Sequence, residues 1–117
     1  MPDKPLIWLG SSRHDLRAFP ALARRLGGFQ LRRVQQGLDP DDWKPIQTVG
    51  PGVREIRIHI AGAHRVFYVA TRAEAIYVLH AFEKKTQRPS SHDSQIGRDR
   101  FRALGKLRQQ HGKEKRS

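Results

Sequence analysis

The chain has 117 residues and no cysteine, and it carries 23 Lys and Arg against 11 Asp and Glu, a formal net charge of +12. That length predicts one domain, and the missing thiols exclude disulfides, thiol catalysis and Cys-held zinc. The charge favours a polyanionic partner, whether nucleic acid, a ribosome or an acidic protein, and it is uneven: net +8 over residues 84–117 against +4 over residues 1–83.

Leu6-Ile7-Trp8-Leu9, ended by Gly10, reads as an edge strand. Ser11 and Ser12 can cap a helical segment after them, with Asp15 at capping-box spacing from Ser12. A short helical turn over 13–19 meets Pro20, which suits the first turn of a new helix. Leu22, Leu26, Phe29 and Val34 then recur near helical spacing, with Arg24, Arg25, Arg32 and Arg33 projecting elsewhere. Gly27-Gly28 weakens the middle and Gly37 ends the segment. The expectation is a helical hairpin or kinked helix over about 12–36.

Residues 38–42 form a loop, 43–46 an extended piece and 49–52 a turn cluster. Three strands come next. Over 53–60, Ile56, Ile58 and Ile60 alternate with Glu55, Arg57 and His59, as in a half-buried strand. Over 65–70, Val66, Tyr68 and Ala70 oppose Arg65, Phe67 and Val69. The stretch 75–82 is apolar on both faces, as in a central strand covered on both sides. The turns between them are short enough to force an antiparallel meander. After Phe82 the chain becomes polar and basic. Ser90 or Ser91 can cap a last helix over about 92–110, with Ile96, Ala103, Leu104 and Leu107 as a thin stripe. The predicted organisation is one domain over 1–110 and a basic tail over 111–117. Helices on one face of an antiparallel sheet make an α+β fold, with the opposite face exposing Arg57 and its neighbours.

No apolar run approaches the ~20 residues of a spanning helix. No signal-type core succeeds Met1-Pro2-Asp3-Lys4-Pro5, so the expected location is the cytoplasm, with no membrane partner. The six histidines lack paired ligand spacing, so no metal is expected; no nucleotide-cradling loop or serine elbow occurs, so no cofactor is expected. The remaining chemistry is cationic. Arg57 and Arg65 lie on adjacent strands across a short turn, and Lys84 and Lys85 come just after the last strand. Such a set can clamp a phosphodiester and stabilise the charge that develops on it. Alternatively, these are ordinary solvated charges, with Arg57 paired to a carboxylate near Glu55 or to Glu74. Tyr68, Trp8 and Trp43 read as packing residues, and His80 as a buried, hydrogen-bonded histidine.

Together, Trp43-Lys44-Pro45, Gly52-Val53-Arg54-Glu55-Ile56-Arg57, Arg65-Val66-Phe67-Tyr68 and Ile76-Tyr77-Val78-Leu79-His80-Ala81-Phe82-Glu83-Lys84-Lys85-Thr86 resemble the RelE/ParE superfamily of bacterial toxins. The phage-derived HigB-like branch is the most similar, and Ser11 to Pro20 and Gln35-Gln36-Gly37 resemble it too. The resemblance spans about residues 6–107. It implies a RelE-like α+β toxin of a type II toxin–antitoxin module, neutralised by a cognate helix-turn-helix antitoxin. In the ribosome-dependent mRNA endoribonucleases of the superfamily, the open sheet face binds mRNA in the decoding site, and a 2′-hydroxyl attacks the neighbouring phosphate without metal. Matched to those motifs, Arg57, Arg65, Lys84 and Lys85 are the implied catalytic residues, and Lys84, Lys85 and Arg88 the implied RNA contacts. The superfamily places a tyrosine or histidine beyond the last strand; here His92 is the available general base. The basic tail is not part of the motif. Two other outcomes stay open: ParE-like toxins share the fold but inhibit DNA gyrase without cleavage, and the charge alone fits a plain nucleic-acid-binding module.

Overall fold

Five strands form one sheet in the computed structural model, which describes residues 3–87 and 90–116. In chain order the elements are β1 (Leu6–Trp8), α1 (Ser12–Arg17), α2 (Ala21–Gln35), β2 (Trp43–Pro45), β3 (Val53–Ile58), β4 (His64–Val69), β5 (Ile76–Glu83) and α3 (Ser91–Arg116). The sheet order is β1-β5-β4-β3-β2. The fold is α+β, with the expected antiparallel meander over β2 to β5. The edge strand β1 pairs in parallel with β5, Ile7 opposite Tyr77, so the sheet is mixed. The α1–α2 hairpin supplies the crossover that a parallel partner requires.

One face of the sheet is covered by α1 and α2. Leu16, Phe19, Ala23, Leu31 and Val34 pack there against Ile56, Ile58, Val66, Tyr68, Ile76 and Val78. Tyr68 is a packing residue, as its alternation with Phe67 predicts. The buried stripe of α2 is Ala23, Gly27, Gln30, Leu31 and Val34, which corrects the expected one: Leu22 and Phe29 are each 56% exposed. Small residues set the helix phase. A Cβ on Gly27 would stand 3.1 Å from Leu16 and 3.3 Å from Ile58, so this position lets α2 approach the sheet closely. Gln30 is buried because its amide bonds both the backbone N–H and the carboxylate of Asp41. Ser12 does not cap α1; its hydroxyl is buried and donates to the Val78 carbonyl at 3.1 Å.

The other face holds a second core, Val49, Val53, Phe67, Val69, Tyr77 and Leu79, closed by Leu104 of α3. Helices therefore lie on both faces, which corrects the one-faced layout. The reason is that β5 is apolar on both sides and needs both covered. Within α3 the contact stripe is Gly97, Phe101 and Leu104 rather than Ala103, which is exposed. Ser90 accepts the Asp93 backbone N–H at 3.2 Å, capping the helix. The helix runs to position 116, past the boundary at 110 set by the sequence. No helix among the described residues is long and apolar enough to cross a membrane.

A register shift separates Phe67, opposite His80, from Tyr68, opposite Val78. The extra residue changes the phase of β5. His80 and Phe82 thereby join Phe67 on the face that carries α3, with ring centroids 4.9 Å apart between His80 and Phe82 and 5.1 Å between Phe67 and Phe82.

Candidate functional site

Arg57 and Arg65 are directly opposite each other in the β3–β4 ladder. Alternation puts both on the α3-bearing face, in the part of the sheet beyond α3, and Glu55 two residues back on β3 shares that face. Its carboxylate is the centre of the cluster. Glu55 Oε1 lies 3.5 Å from Arg65 Nε and 4.0 Å from both Arg57 Nε and Lys44 Nζ. Arg65 is buried and donates from Nη1 to the His64 carbonyl at 3.0 Å. Arg57 remains one-third exposed. The Nε groups of both arginines are buried without a hydrogen bond to protein, Glu55 being the carboxylate nearest to each; the exposed part of Arg57 is what an incoming acceptor can reach. Burial, first, pulls the Arg65 guanidinium below the ordinary arginine range; Glu55 opposes this, Arg57 adds to it, and Asp42 also opposes it. The group stays cationic at physiological pH.

The last strand delivers the basic pair. The Lys84 backbone N–H donates to the Ala63 carbonyl at 2.8 Å, extending the β4–β5 pairing. Lys84, Lys85 and Arg65 then line one open cleft of about 400 Å³. The structure thus gathers four of the sequence-predicted residues. Arg57 meets Arg65 across the ladder, and Lys84 and Lys85 meet Arg65 in the cleft. It does not bring in His92, which lines a separate cleft with His64, His80 and Asp93. Arg88 lies outside the described residues.

Glu74 is not the partner of Arg57. It accepts from Arg108 at 2.7 Å and from the Tyr77 hydroxyl at 2.7 Å, and the Arg108 bond leads in holding its pKa down at about 2. His80 is buried and hydrogen-bonded, as expected. Its Nε2 is 2.7 Å from Asp93 Oδ1, and Arg100 Nη1 approaches its Nδ1 at 3.5 Å. Burial lowers its pKa, against the opposing effect of Asp93. This dyad ties the start of α3 to β5. Among the described residues, no group of three or more His, Cys, Asp or Glu side chains could hold a metal ion.

The residue that sequence reasoning undervalued is Glu55, read there as one polar position of a half-exposed strand. The available signal was its i, i+2 spacing from Arg57 on the same strand face, with Arg65 across a short turn. A family model, Phage derived protein Gp49-like (DUF891), matches residues 14–102. The chain belongs to this family of RelE-like toxins. No curated protein matches it. In this Gp49-like protein, the match begins in α1 and spans every member of the cationic cluster. It stops inside α3, before Leu104 and Arg108, which complete the docking of that helix.

Proposed function

We propose that this protein is the toxin of a type II toxin–antitoxin module, of the HigB-like branch. In this reading it is a ribosome-dependent, metal-independent mRNA endoribonuclease that arrests translation in the cytoplasm. The observation that carries the reading is the Arg57–Arg65 cross-strand pair around Glu55, opening onto Lys84 and Lys85. A phosphodiester seated on the two guanidiniums would have donors aimed at the charge that builds during attack, in a partly desolvated place where such donors count most. Among the described residues, Glu55 is the only carboxylate in ion-pair contact with either arginine, and a carboxylate can accept the 2′-hydroxyl proton. The 2′-oxygen then bonds to phosphorus, and the bond from phosphorus to the 5′-oxygen breaks. Lys84 or Lys85 protonates that oxygen, leaving a cyclic phosphate and a 5′-hydroxyl.

A cognate helix-turn-helix antitoxin is part of the same proposal. It should be acidic where it docks, because the net charge of +12 offers it cations to pair. Pulse expression tests the reading. Translation should stop within minutes and transcripts should carry new 5′-hydroxyl ends, with both effects relieved by the adjacent antitoxin gene. Intact transcripts with arrested replication would instead favour gyrase inhibition, and tight RNA binding without growth arrest a plain binding module.

A further inference from the structure

Helix α3 carries Arg98, Arg102 and Lys106 at four-residue spacing, steps of about 6 Å along one side of the helix. Beside this row runs an open groove of about 560 Å³ whose floor includes Val49, Pro51 and Phe101. Among the described residues, no acidic side chain lines it. Arg102 and Lys106 are exposed, and Lys106 makes no ion pair among the described residues. Asp99 pairs with Arg102 at 3.8 Å across an exposed turn of the helix and accepts from Gln95 at 2.8 Å, but it does not line the groove. Arg98 donates to the neutral Gln95 at 2.9 Å. The helix sequence continues with Lys113, Lys115 and Arg116 against one acid, Glu114.

A single-signed row of cations above an apolar strip that contains an aromatic ring is the arrangement that holds a single nucleic-acid strand: phosphates against the cations, base faces on the strip. The groove lies on the same sheet face as Arg57 and Arg65. From Val53, next to the groove's turn, to Arg57 is four residues of β3, about 13 Å. We propose that the Arg98–Arg102–Lys106 ridge and its groove bind single-stranded RNA, as a subsite separate from the arginine cluster. The proposal shares with the reading above only the ligand class, and its test does not depend on cleavage.

Fluorescence anisotropy with a labelled oligoribonucleotide of about twelve nucleotides, across a salt series, provides the measurement. The oligonucleotide carries 2′-O-methyl groups, so that no 2′-hydroxyl can attack and no strand is cut, and Arg57 and Arg65 are left in place. Adding Arg98→Gln, Arg102→Gln and Lys106→Gln should weaken binding at least tenfold near 0.1 M salt and flatten the slope of log K against log salt by up to about 2. A charge-matched control, Arg13→Gln, Arg24→Gln and Arg25→Gln on α1 and α2, should change affinity less than about threefold, because these residues lie on the helices of the opposite face. Circular dichroism checks that each variant folds. Unchanged affinity in the ridge variant overturns the proposal, as does an equal loss in the control. So does a duplex of the same length that binds the ridge as tightly as the single strand. Loss of cleavage by the unmodified protein, with ridge-dependent binding retained, would sink the nuclease reading and leave the subsite standing.

Discussion

Arg65 Nε lies 3.5 Å from Glu55 Oε1, and the two side chains are only 4% and 10% exposed. This nearly buried pair anchors the more exposed Arg57 beside it. Glu55 and the His64 carbonyl hold the Arg65 guanidinium in place within the fold itself. The pair is also a liability for stability, because removing one member strands a desolvated charge.

Arg57 and Arg65 should therefore separate in mutagenesis. Arg57→Ala should cost less than about 1 kcal/mol of stability, as expected of a partly exposed ion pair, yet lower cleavage about a hundredfold, the usual worth of one preorganised donor. Arg65→Ala should lower cleavage at least as far, and destabilise by about 2–4 kcal/mol because Glu55 loses its nearest cation. Urea denaturation and a transcript-cleavage assay measure the two effects independently. A fully toxic, folded Arg57→Ala, Arg65→Ala double variant would remove the site.

Glu55→Gln keeps the shape and an acceptor oxygen but cannot take a proton at neutral pH. Cleavage should drop by about 10²–10⁴. The variant should also lose about 2–4 kcal/mol of stability, because Arg65 keeps a nearly buried charge without its carboxylate, so urea denaturation is run beside the cleavage assay. His92→Ala should stay within about threefold of the parent rate, because His92 lines a different cleft from Lys84 and Lys85. The reverse ranking would return the general base to His92.

Two titrations give stability a signed pH dependence. His80 has its pKa lowered in the fold, so the unfolded chain takes up its proton first. Its contribution is complete above the ordinary value of 6.5 and declines as pH falls below it. Glu74, held at about 2, contributes above the unfolded carboxyl value and loses this as pH falls toward 2. That contribution is small, below about 1 kcal/mol, because the Arg108–Glu74 pair is solvent-screened. Thermal melts should show His80→Gln flattening the slope between pH 7 and pH 5. Glu74→Gln should alter only the part below about pH 4.5.

Gly97→Ala should destabilise by about 1–3 kcal/mol, although alanine is the better helix former, because overpacking outweighs propensity. The added Cβ would sit 2.9 Å from both Phe67 and Val49. Gly105→Ala, with nothing within 4 Å of the new atom, should stabilise by about 0.5–1 kcal/mol. Equal effects at the two positions would mean that α3 does not press on the sheet at Gly97.

Local pattern alone determined much of this protein. Alternation in 53–60 and 65–70 and the short turn between them were enough to put Arg57 and Arg65 on adjacent strands; their direct pairing came from the register of β3 against β4. The two-sided apolar run at 75–82 required a strand covered on both faces. The motif string over Trp43 to Thr86 pointed to the toxin superfamily without any knowledge of the fold. Tertiary structure decided what depends on contacts far apart in sequence. The phase of α2 came from Ala23 and Gly27, whose small size allows close packing but carries no hydrophobic signal, so Leu22 and Phe29 looked like core and are not. The parallel pairing of β1 with β5 joins residues 70 positions apart. The bulge that turns His80 and Phe82 toward α3 is visible only in the register of β4 against β5. Glu55 became the centre of the cationic site for the same reason. A carboxylate on a strand has an ordinary solvated meaning until the fold brings three cations within 4.0 Å of it and takes the water away.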